Sequence, residues 1–236
     1  VLVLAIIIGG AAFVAFGTDR TPWDFGGALR TTRIDGPASA GVREAEARID
    51  VGAARIDIAS SRGGVMTEGT LESRRDPQVT HNVSNGVYTL EVLQKKGVQI
   101  FHSGIQGDRL VLDLAQGVPW KIDVDTGAAD ANLDLRGVTL SELTVDAGAS
   151  SLDLTLGPDI VGGARVSVDG GAGSYRLRLP RDLDITLTID AGVSSVNVDG
   201  AFQRTGDVYR LAGAGAGEAL SVDINAGVSS ISVELY

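Results

Sequence analysis

Apolar residues fall on alternate positions in short runs throughout the second half of this 236-residue chain, and the paired runs are joined by Asp-x-Gly or, in the last copy, Asn-x-Gly. In LTVDAGASSLDLTL, Leu143, Val145, Leu152, Leu154 and Leu156 alternate with Thr, Asp and Thr. A period of two places one set inward and the other toward solvent, so the runs predict β-strands. Copies begin at Ile122, Leu143, Val166, Leu187 and Val222, and their marker glycines are Gly127, Gly148, Gly171, Gly192 and Gly227. The intervals of 21, 23, 21 and 35 residues predict an all-β, β-helix-like solenoid of about five coils over 118–236. Its expected core includes Val145, Leu154, Val168, Leu177, Leu187, Ile189, Val196, Ile224 and Ile231. No stretch from 18 onward has helical periodicity.

Upstream of the solenoid, ARIDVGAARIDIAS carries a variant of the repeat at Asp50 and Gly52, and further short strands follow it. The segment 44–117 therefore reads as an irregular β-cap closing the open end of the stack. Residues 18–43 mix Gly, Pro, Ser and Thr and read as a linker in which Gly36 would accept a side chain freely. The opening VLVLAIIIGGAAFVAFG is apolar for 17 residues, long enough for about 25 Å of helix. It is expected to be the C-terminal part of a longer transmembrane helix, with Trp23 as an interfacial anchor. A signal-peptide core is the rival reading. Arg20, Arg30 and Arg33 lean toward a cytoplasmic domain by the positive-inside rule.

Composition narrows the chemistry. With 32 glycines and 5% aromatic residues, the core has to be built from small aliphatics. A net charge of −10 repels phosphate backbones and argues against nucleic-acid binding. The absence of cysteine removes disulfides and thiolate chemistry.

The corner aspartates Asp125, Asp146, Asp169 and Asp190, followed by Asn225, are expected to stack in that order at about 4.8 Å spacing. Each Asp is expected to cap its turn by accepting N–H groups two residues on, and each glycine to supply φ > 0. Like-charge repulsion at that spacing is just under ~1 kcal/mol in water. One charged hydrogen bond contributes about 1.5–3 kcal/mol, so a divalent cation is not needed to hold the ladder. No cofactor or metal is expected. The pairs Ser150–Ser151, Ser194–Ser195 and Ser229–Ser230 have only His81 and His102 as candidate bases, both far away in the cap, so they read as corner chemistry. Arg176, Arg178, Arg181 and Arg210 beside Asp182 and Asp184 read as solvated surface. Asn82-Val-Ser84 matches a glycosylation acceptor, and Pro119-Trp120 reads as a lid on the first coil. The long fourth interval holds a hairpin or loop, Phe202–Leu211, expected to project and to expose Phe202 and Tyr209 as an interaction site.

VPWKIDVDTGAADANLDLRGVTLSELTVDAGASSLDLTLG and its later copies resemble the toast-rack domain at the C-terminus of LiaF-like proteins of the cell-wall-active-antibiotic response. They are also similar to bacterial adhesins with the same repeat. The resemblance covers 44–236. It implies a non-enzymatic protein at the bacterial cell membrane, partnered by a sensor histidine kinase or another envelope protein in stress signalling. An adhesin or structural module is the alternative it leaves open, and a carbohydrate-active β-helix enzyme is a third.

Overall fold

A computed structural model describes residues 28–94, 107–213 and 219–236, together with a two-residue antiparallel pairing of β1 (Ile7–Ile8) with β2 (Ala11–Ala12). In chain order there follow β3 (Arg30–Asp35), β4 (Glu44–Ser61), β5 (Thr67–Ser73), β6 (Pro77–Ser84), β7 (Val87–Gln94) and β8 (Asp108–Ala115). Then come β9 (Pro119–Leu135), β10 (Thr139–Leu156), β11 (Ile160–Leu179), β12 (Asp184–Ala191) and β13 (Ser194–Val198). β14 (Gln203–Thr205), β15 (Val208–Leu211) and β16 (Ala219–Leu235) complete the chain. Among the described residues there is no helix, and none that could cross a membrane. Apart from β1 and β2, the expected span over 1–17 lies outside the described residues.

Each long strand is one bent coil. In β10, Leu143, Val145 and Ala147 are buried, and then Leu152, Leu154 and Leu156. The alternation slips by one position through Gly148–Ser151, so both halves of the bent strand face the same interior. Short return turns carry the chain to the next coil. Gly137, between β9 and β10, has φ +81° there, a conformation a side chain would resist. Coils pair in parallel and in register, with Leu154 beside Leu133 on one side and Leu177 on the other. The first halves form one sheet and the second halves another, and aliphatic side chains fill the space between them. β4 pairs with β9 from Ala45 to Ile58, so it is already the first full coil rather than part of an irregular cap. Beyond it the cap splits, with β7 continuing the first sheet and β8 the second. β6 closes the first edge, and β5 with β3 closes the second.

Several expectations are overturned here. Arg30–Asp35, read as linker, is the edge strand β3. Gly36 packs against β5, and a Cβ there would lie 2.6 Å from Thr67 Oγ1, so it is not a free position. The stack also does not follow chain order. Its sequence is β4–β9–β10–β11–β16, and only then β12 with β13. The last strand of the chain is thus threaded between the third and fourth copies. The Phe202–Leu211 segment contains β14 and β15, and β15 pairs antiparallel with β12. Instead of projecting, it folds Phe202 and Tyr209 inward at 8% exposure each. Arg204 lies over the Tyr209 ring at 5.2 Å. Val196 is 40% exposed, because it belongs to the terminal coil and nothing among the described residues stacks on that half. The other expected core residues are buried.

Candidate functional site

The feature repeated most regularly on the surface is the corner between the two sheets. Register places Asp50, Asp125, Asp146, Asp169, Asn225 and Asp190 in one ladder, in that spatial order. Asn225 therefore sits between Asp169 and Asp190 instead of beyond both. Its Nδ2 donates to Asp169 Oδ1 at 3.2 Å, and Ser167 Oγ donates to the other Asp169 oxygen at 3.2 Å. An amide at this rung breaks a row of like charges and adds a donor. Outside the ladder, Asp199 accepts from Ala201 N at 2.9 Å and Asp134 from Arg136 N at 3.3 Å, each two positions on. Among the described residues no three acidic or histidine side chains are grouped to hold a metal ion.

The corner glycines are not at positive φ. What requires them is contact between neighbouring coils. A Cβ on Gly148 would lie 2.6 Å from the carbonyl oxygen of Gly127, and one on Gly171 would lie 2.4 Å from that of Gly148. Gly227 would meet Gly171 O at 2.6 Å, Gly192 would meet Gly227 O at 3.0 Å, and Gly127 would meet Gly52 O at 3.2 Å. Bending the strands at the same rung presses each backbone onto the next, most tightly at Gly171, Gly148 and Gly227, where only glycine leaves room.

Beside the glycines run hydroxyls. Thr126 Oγ1 donates to Gly52 O at 3.2 Å, and Ser194 Oγ and Ser229 Oγ share a hydrogen bond at 2.9 Å. Ser150 Oγ and Tyr175 Oη are buried without a protein partner. Tyr175 occupies the rung where neighbouring coils have Leu152 and Ile231. Its hydroxyl reaches back under Gly170, where a Cβ would be 2.0 Å away. The matching residues on the flanking coils are Ala147 and Ala226, so Gly170 and Tyr175 form a fitted pair.

Arginines read as solvated surface form separate pairs there. Arg176 pairs with Asp153 at 3.1 Å, Arg178 with Glu234 at 3.9 Å and Arg181 with Asp199 at 3.8 Å. Asp184 accepts from Gly213 N at 2.6 Å. His81 lies on exposed β6, with its ring centre 6.2 Å from that of Tyr88. His102 and Trp23 lie outside the described residues. Trp120 is fully buried, donates Nε1–H to Ala115 O at 2.9 Å and meets Tyr88 edge-on. On the second sheet, hydrogen bonding to Arg136 holds the Asp134 carboxyl below its usual range, against an opposing effect of burial.

A bent-coil solenoid of two parallel sheets, with antiparallel strands on both sheets at the first end and on the first sheet at the other, defines the class of protein. Residues 28–178 match the family described as the N-terminal domain of toast_rack, DUF2154, and the chain belongs to that family. The structure is similar to that of a candidate cell adhesion protein from Clostridium sporogenes, with a TM-score of 0.81 at 20% identity. The match covers 88% of this chain and 100% of the other. A candidate adhesin from Bacteroides fragilis matches at a TM-score of 0.26 and 12% identity, over 87% of this chain and 96% of the other. No protein with a curated description matches the sequence.

Proposed function

We propose that this chain is a non-enzymatic protein-interaction domain, held at a bacterial membrane by its apolar N-terminal segment and engaging another envelope protein. The observation that carries this reading is the division of labour between interior and surface. Aliphatic side chains fill the space between the sheets, while the outward faces carry polar ladders in register, with charges paired between coils as in Lys121–Glu142 at 2.8 Å and Arg55–Asp130 at 2.9 Å. Catalysis needs groups of matched pKa converging on one cavity, whereas a ladder of like residues offers an extended face suited to recognition. A role beside a sensor kinase in envelope-stress signalling is the form of this reading that the resemblance to LiaF-like proteins favours.

Photocrosslinking in cells from Asp223 on the first sheet and Ser230 on the second, in the full chain, tests the proposal. It expects discrete adducts with an integral membrane protein. Cleavage of a glycan by the purified chain, abolished by a single Asp-to-Asn change, would refute it.

A further inference from the structure

The two sheets do not end together at the last coil. Beyond β12 the first sheet continues through β15 and β14, while beyond β13 the second sheet has no further strand among the described residues. Two strands at about 4.8 Å each make a step roughly 10 Å deep beside β13. Ser229 N donates to Val193 O and Asp199 N donates to Val233 O. In a parallel ladder the bonding side alternates, so the backbone groups of Ser194, Val196 and Val198 point to the open edge. This edge lacks the usual protection. β3 carries Arg30, Arg33 and Asp35, β6 begins at Pro77 and β14 carries Arg204, but Ser194–Val198 contains no charge and no proline. Val193 at 80% exposure and Val228 at 63% stand side by side at the corner, and Val196 at 40% lies uncovered along the strand that follows.

We propose that the outer edge of β13 accepts an extended segment of a partner protein, adding a strand to the second sheet, and that this segment has an uncharged centre and a cationic flank over Asp190. The proposal rests on the reading of the chain as an interaction domain and names its docking edge. The step selects against a second copy, because coil-on-coil stacking would drive the partner's first sheet into β15 and β14. A lone strand fits beneath them. Its backbone would pair with Ser194, Val196 and Val198, and an apolar side chain would cover Val196 as Tyr175 and Ile231 are covered on inner coils. Asp190 is exposed at the entrance, whereas Asp199 at the exit shares its charge with Arg181. With a chain charge of −10, a cationic flank is the complement.

The probes are fluorescent peptides of sequence KVTVTVK and EVTVTVE, titrated against the full chain in detergent. The lysine-flanked peptide should bind at least tenfold more tightly, and Asp190→Asn should narrow that ratio. Hydrogen exchange should show new protection at the Ser194, Val196 and Val198 amides. Val196→Pro removes an outward N–H without touching the bonds to β16 and should weaken binding at least tenfold with unchanged circular dichroism. Equal affinity for both peptides, protection elsewhere, or a dimer abolished by Val196→Lys would overturn the proposal. Membrane-protein adducts that survive Val196→Lys would sink this edge alone; loss of all adducts in the unsubstituted chain would sink the interaction reading itself.

Discussion

Replacing Gly171 with Ala sets two opposing effects against each other, and the structure decides which wins. Away from positive φ, Gly→Ala stabilises by about 0.4–1 kcal/mol, because the unfolded chain loses freedom. Against this, the new Cβ would sit 2.4 Å from Gly148 O, about 1 Å inside ordinary contact. The obstacle is backbone locked in register on both sides, so relief requires the coils to part at the corner. Overpacking of this kind costs about 1–3 kcal/mol, which leaves Gly171→Ala destabilising by roughly 1–2 kcal/mol. At Gly127 the same Cβ would be 3.2 Å from Gly52 O, a shift of tenths of an ångström, and the two effects nearly cancel. For a domain of this size roughly 1 kcal/mol moves the midpoint by about 2–4 °C. Thermal melts of the Ala series should therefore rank Gly171 lowest, Gly148 and Gly227 next, then Gly192, with Gly127 close to the parent. Calorimetry should accompany the melts, since solenoids can lose coils separately. Equal losses at Gly171 and Gly127 would refute the close-approach account, because a requirement for positive φ would penalise both alike.

Gly170→Ala should destabilise by about 1–3 kcal/mol, and the double change with Tyr175→Leu should recover most of it, since flanking coils already combine Ala147 with Leu152; urea titration of the cycle reads the coupling. Truncation after Leu211 removes β16 from the middle of the stack, so β12 and β13 should lose protection from proteolysis along with it, whereas loss of a terminal coil would leave them intact. Asn225→Asp places a third carboxylate between Asp169 and Asp190 and removes the hydrogen bond at 3.2 Å. Repulsion near ~1 kcal/mol per neighbour in water, reduced by salt, predicts a loss of about 1 kcal/mol at neutral pH. The repulsive part of the loss needs the new carboxyl ionised, so that part should fade as pH falls toward about 4 and grow as pH rises. Urea midpoints at pH 3.5 and 7 check the sign.

The alternation of Leu143, Val145, Leu152 and Leu154, with the spacing of the Asp-x-Gly markers, was enough to establish stacked β coils and which side chains face inward. These are local properties, set by a side-chain period of two and by the need of each coil to bury its apolar face on a neighbour. Why the corners are glycine was not legible, because positive φ and close approach leave the same residue in the sequence. Only the distance from Gly171 to the carbonyl of Gly148 separates them. The order of the coils was likewise undetermined. Copies alike enough to define a repeat are alike enough to pair in several orders, so nothing local directs β16 between β11 and β12. The traces of that order are Asn225 beside Asp169, which become meaningful only as neighbours. The hairpin and Val196 show the same division. Phe202 and Tyr209 sit in a segment that breaks the repeat, yet pairing of β15 with β12 turns them inward, and the last coil leaves Val196 uncovered despite its inward register. Burial at the end of a stack depends on what the chain lays over it, and that is settled by tertiary contact alone.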